Sequence, residues 1–172
     1  MTIYKLLSVL LEYPDEELFD NLPAIRQALD DCADASPEER ETVLAFLDYL
    51  ENGDPTEIQA DYVRTFDLTA ENSLHLTHHL FGDDKNRGPA LIDLTELYKD
   101  HGVEVSGNEL PDYLPLVLEF ADCRKDGDAR AFLSDAVKVF GVLASNLEKA
   151  QSRHAPLVRI IENRASLPRL AA

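Results

Sequence analysis

Hydrophobic residues recur along nearly the whole chain at spacings of three and four, the period of an amphipathic helix, and strand-like alternation is nearly absent. Ile3, Leu6, Leu7, Leu10 and Leu11 form a first stripe. Pro14 closes it, because the residue ahead of a proline is pushed out of the helical region. Asp15-Glu16-Glu17 opens a second helix with carboxylates at the positive end of its dipole. Pro23 either kinks that helix or starts a new one, running through Ile25, Ala28 and Leu29 to about Asp31. Ser36-Pro37-Glu38-Glu39 is a strong start: a capping serine, proline at the first helical position and glutamate three residues after the cap. Val43, Leu44, Leu47 and Leu50 face inward from it until Asn52-Gly53. Asp54-Pro55-Thr56-Glu57 repeats the start signal ahead of Ile58, Tyr62, Val63 and Phe66.

From Leu68 to Gly88 the pattern weakens into a connection with one short helical piece around Leu74 to Leu80. A connection of that length in a small helical domain points to function more often than a short one does. Pro89 starts a helix carrying Leu91, Leu94, Leu97 and Tyr98, which ends at His101-Gly102. A turn-rich stretch leads to a helix through Val117, Leu118 and Ala121. After Asp126-Gly127-Asp128 the longest helix is expected, with Phe132, Ala136, Phe140, Leu143 and Leu147 on one face. A last helix from about Ala155 carries Leu157, Ile160 and Ile161. The pattern therefore predicts an all-α fold: a single compact helical domain of roughly eight helices over residues 1–165, with a frayed tail at 166–172.

Composition sharpens this picture. The chain has 172 residues, 45% of them hydrophobic, enough for one domain with an ordinary core. Its formal net charge is −17. That surface repels nucleic-acid backbones and anionic membrane surfaces and attracts basic peptides. The charge is uneven. Glu12 to Asp61 holds sixteen acidic residues and two basic ones, whereas Lys149 to Ala172 holds five basic residues and one acidic. An acidic surface that simply keeps the protein dissolved accounts for the same numbers. Cys32 and Cys123 lie far apart without metal-site spacing and read as small buried thiols. No secretory signal pattern and no bilayer-length apolar run is present, so a cytoplasmic protein without direct membrane insertion is expected.

Three stretches carry candidate chemistry. On a helix, His75, His78 and His79 would share one side and could hold a metal, but no glutamate follows His75 as in metalloprotease helices. The competing reading has these histidines pack or hydrogen-bond to hold the loop. Gly82-Asp83-Asp84-Lys85-Asn86-Arg87-Gly88 places mixed charges between two glycines before a helix start. It is either an anion cradle or a solvated lead-in, and it matches no Walker or dinucleotide loop. In Asp61-Tyr62-Val63-Arg64-Thr65-Phe66-Asp67 the two aromatics share a face suited to a core, with the charges opposite. No cofactor-binding motif and no catalytic constellation stands out.

The string HHLFGDDKNRGPALIDL, from His78 to Leu94, resembles the hallmark region of the NarJ-type nitrate reductase assembly chaperones, also called the delta subunit, within the wider group of redox-enzyme maturation chaperones. LLEYPDEEL, DYVRTFD and ELPDYLPLVLEF agree with the family in the expected order, so the likeness covers about residues 3–150. The resemblance implies an all-helical cytoplasmic chaperone, not an enzyme. Its partner is the basic N-terminal segment of the nitrate reductase alpha subunit, held while the molybdenum cofactor is inserted and before membrane docking. Molybdenum cofactor delivery proteins are further expected partners, and a different molybdoenzyme is the alternative client. Carried over by position, the peptide-binding residues are Tyr62, Phe66, Asp67, His79, Gly82, Asp83, Arg87, Gly88, Asp112 and Tyr113. On this reading Tyr62 and Phe66 form the groove wall, with their core role left open. Asp67 and Asp83 would meet peptide arginines, and His79 and Arg87 would fix the loop.

Overall fold

The computed structural model describes residues 1–105 and 107–166, and the expected tail beyond Ser166 lies outside them. Eleven α-helices follow in order among the described residues: α1 (Ile3–Leu11), α2 (Glu16–Asp20), α3 (Leu22–Asp30), α4 (Pro37–Asn52), α5 (Pro55–Tyr62), α6 (Leu76–Phe81), α7 (Arg87–Asp100), α8 (Leu114–Asp122), α9 (Asp126–Ser134), α10 (Val137–Lys149) and α11 (Ala155–Ala165). A π turn (Val63–Asp67) extends α5, and a 3-10 turn covers Ala70–Asn72. None of the described helices is long and apolar enough to cross a membrane.

The helix starts follow the local chemistry. Ser36 and Glu39 complete a reciprocal capping box at α4, and Asp54 accepts a bond from the Glu57 N–H at α5. At Pro23 the second of the two readings holds. The chain stops at Asp20 and restarts at Leu22, with the proline in the first turn of α3, where its missing N–H costs nothing.

The long helix expected after Asp126 is two helices, and the longest described helix is α4, at 16 residues. Neither proline nor glycine makes the break. Ser134 Oγ donates to the Ala131 carbonyl at 2.6 Å, and the Ala136 N–H bonds three residues back to Leu133, so the ladder is tightened and ended locally. The apolar stripe nevertheless continues across it through Phe132, Leu133, Ala136 and Phe140.

Two helix pairs, α1 against α8 and α10 against α11, pack most extensively among the described helices. α1 buries nearly all its residues, and across its contact with α8 the buried Ser8 hydroxyl donates to the Pro115 carbonyl at 2.8 Å. α11 touches α9 and α4 and is pinned at its end by Arg164, which is only 4% exposed. Arg164 makes a two-pronged pair with Glu39 at 2.6 and 2.7 Å and lies over the Tyr4 ring. Glu39 thus caps α4 and holds α11 at once. Cys32 is buried, and burial pushes its thiol up to about 11. Cys123 is exposed, contrary to the reading of both cysteines as buried thiols, because α8 ends at Asp122 and leaves it in the following turn.

Candidate functional site

The segment before α6 and the segment before α8 run antiparallel through a single bridge between His75 and Tyr113. The Leu76 N–H donates to the Asp112 carbonyl at 3.1 Å, and the Leu114 N–H to the Leu74 carbonyl at 2.8 Å. This pairing buries the Asp112 side chain completely. Its carboxylate accepts the Thr77 N–H at 2.9 Å and the Thr77 hydroxyl at 2.6 Å, and lies 3.4 Å from His75 Nδ1. Burial alone would raise this carboxyl, but the bonds from His75 and Thr77 outweigh it and hold it below the usual carboxylate range. Arg87 Nε donates to Thr77 Oγ1 at 2.9 Å, which ties the first turn of α7 into the same network. At the other end of α7 the buried Tyr98 hydroxyl donates to the Pro111 carbonyl at 2.8 Å. α7 is therefore tethered at both ends to the segments that carry Asp112.

Between these tethers α7 stands off the body. Tyr98 is its only buried residue, and Leu91, Leu94 and Leu97 are half-exposed. Leu94 and Leu97 border an open groove of about 420 Å³ whose walls come from α6, α7, α8, α9 and the start of the α9–α10 junction. That volume lies within the ~300–1,000 Å³ range of ligand sites. Leu76, Leu80, Phe81, Leu94, Leu97, Val117, Phe132 and Leu133 supply its apolar lining, and its three carboxylates belong to Asp93, Asp112 and Asp135. Leu80, which lines it, is 58% exposed.

The predicted site residues divide around this groove. Asp112 lies at its floor beside Thr77, with Arg87 bonded behind it. Tyr113 stacks on His75 with ring centroids 5.3 Å apart. His79 Nε2 sits 2.7 Å from the Ser73 carbonyl. Gly82 ends α6 at φ 55° and ψ −123°, a conformation that favours glycine strongly. Asp83 and Gly88 are exposed, and nothing around Gly88 requires a glycine. Asp67 is exposed at the end of the π turn, and neither Asp67 nor Asp83 lines the groove.

Tyr62 and Phe66 do not line it either. They are 4% and 7% exposed and pack around the buried His154, whose ring is 5.7 Å from Tyr62, 4.9 Å from Phe66 and 4.9 Å from Phe46. The Tyr62 hydroxyl donates to the Leu11 carbonyl at 2.9 Å, so the ring is held from both ends. Desolvation pushes the His154 imidazole down to about 3, keeping it neutral.

His75, His78 and His79 do not form a metal site. His75 lies ahead of α6 in extended conformation and is committed to Asp112, while His79 is committed to Ser73. Among the described residues no group of three His, Cys, Asp or Glu is placed to share an ion. Sequence reasoning overlooked Thr77, Leu80, Asp93, Phe132 and Asp135. The helical stripes that hold Leu94, Leu97, Val117, Phe132 and Ala136 gave the signal, and such stripes look the same whether or not a neighbour covers them.

Comparison with known proteins places this architecture. A family model described as nitrate reductase delta subunit matches residues 32–158. The nitrate reductase molybdenum cofactor assembly chaperone NarJ of Escherichia coli is 33% identical over 91% of this chain and 66% of its own length. A Bacillus subtilis protein named for the same role is 33% identical over 92% of this chain and 85% of its own. The chain thus spans just under two thirds of the length of the Escherichia coli relative. A crystal structure of a redox-enzyme maturation protein from Archaeoglobus fulgidus superposes with a TM-score of 0.67 at 22% identity, covering 93% of this chain and 90% of that one, and shares the fold. The family-model match over most of the chain and the identity to these relatives together establish that this protein belongs to the nitrate reductase delta subunit family.

Proposed function

We propose that this protein is an assembly chaperone, not an enzyme, for a respiratory nitrate reductase. In this reading it holds the basic N-terminal segment of the catalytic alpha subunit in the α6–α9 groove. It thereby keeps the apoenzyme competent for molybdenum cofactor insertion, in concert with cofactor delivery proteins, until the subunit docks at the membrane. The names of the relatives support the assembly role. The observation that carries the peptide reading is the groove itself: apolar, open, floored by a fully bonded carboxylate and lined by no Lys, Arg or His. An amphipathic peptide helix laid in an apolar groove is a recurring mode of recognition, and a carboxylate border suits a basic one.

The expected acidic complement shifts accordingly. None of the groove lining comes from the acid-rich stretch between Glu12 and Asp61. Those charges act at a distance, raising the encounter rate with a cationic segment rather than contacting it. Part of that stretch is also internally neutralised, with Arg26 paired to Asp48 and Glu51 and Arg164 to Glu39.

Calorimetric titration of a synthetic peptide from the alpha-subunit N-terminus tests the proposal. Saturable binding that weakens between low and moderate salt is expected. Absence of binding at both salt concentrations would overturn the alpha-subunit assignment.

A further inference from the structure

An apolar groove alone would accept almost any amphipathic helix, including those of this chain. The groove between α6 and α9 has a second property that narrows the choice. Asp93 projects from α7 and Asp135 stands in the α9–α10 junction, so two different elements each place one exposed carboxylate on the same cavity. Asp112, the third carboxylate, is consumed by Thr77 and His75. Asp93 and Asp135 are not consumed: among the described residues no ion pair engages either of them. Arg87, in the first turn of α7, donates to Thr77 and pairs with neither aspartate.

Resting on the proposal that the groove holds a client peptide, we infer that Asp93 and Asp135 are its specificity pair. They select a helix whose apolar stripe is flanked by cations and reject one flanked by carboxylates. Leu80, Leu94, Leu97 and Phe132 take the stripe, and the two aspartates meet a Lys or Arg as water is displaced from the groove border. The rejecting half matters as much as the selecting half, since specificity often comes from repulsion built against the wrong ligand. A protein of net charge −17 carries many acid-flanked helices of its own, α2 among them, so the same two carboxylates keep a second copy of this chain out of the groove. This assignment replaces Asp67 and Asp83 as the arginine partners, because those two line no part of the cavity.

The test uses three synthetic amphipathic helices with one shared apolar stripe, flanked by Arg, Gln or Glu, titrated into the full chain. Wild type should prefer the Arg-flanked probe over the Gln-flanked one by roughly ten-fold and bind the Glu-flanked one least, with the preference shrinking as salt rises. Asp93→Asn with Asp135→Asn should lose that preference, bringing the Arg-flanked affinity down to that of the Gln-flanked probe in the same variant. Asp93→Lys with Asp135→Lys should favour the Glu-flanked probe, a reversal that a merely structural role would not give. Asp67→Asn with Asp83→Asn should behave as wild type.

If the Asn pair retains the full Arg preference while Leu94→Glu abolishes binding of every probe, the specificity assignment is overturned and the groove remains the site. If Leu94→Glu also binds all probes as wild type does, the groove is not the site and both readings fall. A concentration-dependent dimer that Leu94→Glu dissolves would overturn the inference in favour of a second copy as occupant.

Discussion

The aromatic box around His154 and the groove between α6 and α9 are both lined largely by apolar side chains, yet they end in opposite conditions. In the box, Phe46, Tyr62 and Phe66 enclose an imidazole that is 3% exposed, and the Tyr62 hydroxyl has found the Leu11 carbonyl. In the groove, Leu80, Leu94, Leu97 and Phe132 face a cavity, and only its floor, Asp112 with Thr77, is fully bonded. Apolar surface is driven out of water wherever chain can cover it. The box shows what this sequence does with aromatics that it can cover; the groove shows apolar surface that is rigidly framed and left open. α7 explains the difference, because Arg87 and Tyr98 fix its two ends while only Tyr98 is buried along it.

The largest expected effect breaks the closed region. Phe66→Ala should lower the stability of the fold by about 3–5 kcal/mol, the cost of a cavity left by a buried aromatic. Urea unfolding measures this, and the fraction still folded should bind peptide as wild type does. A selective loss of peptide affinity without loss of stability would instead return Phe66 to the binding surface.

A smaller effect follows from His154. Burial lowers its folded-state pKa to about 3, whereas an unfolded histidine titrates near ~6.5, so between these values the unfolded chain takes up a proton that the folded one refuses. The contribution is complete above ~6.5 and is lost as pH falls through that window, at about 1.4 kcal/mol per pH unit. Stability should therefore drop by about 2 kcal/mol between pH 7 and pH 5, and His154→Phe should flatten the slope. An unchanged slope in that variant would show that the box is wetter than described.

The smallest change in stability belongs to the open region and carries the larger change in binding. Leu80→Ser should leave the unfolding midpoint within about 0.5 kcal/mol of wild type, since the side chain is mostly solvated. Peptide affinity should nonetheless fall roughly five- to ten-fold, because Leu80 gains cover only from the ligand.

How much of this was legible in the sequence depended on how local its cause was. Ser36 with Glu39, Asp54, and Pro14 announced helix boundaries because caps and prolines act within one turn. The break at Ser134–Ala136 was hidden, since the hydrophobic stripe runs through it and neither glycine nor proline marks it. Asp112 was flagged by resemblance, but its role depends on Thr77, 35 residues earlier, and no local pattern reveals that bond. Asp93 and Asp135 went unnoticed for the same reason: two ordinary surface aspartates become a pair only when α7 and the α9–α10 junction face one cavity.

The most direct test of the account is to map where the alpha-subunit peptide lands, by following backbone amide chemical shifts of the labelled chain through a titration. Changes should centre on Leu80, Asp93, Leu94, Leu97, Phe132, Asp135 and Ala136, with the amides around Tyr62, Phe66 and His154 nearly still. Changes centred on Tyr62, Phe66 and Asp67, with α7 and α9 unmoved, would contradict it and place the client at the end of α5 and the π turn.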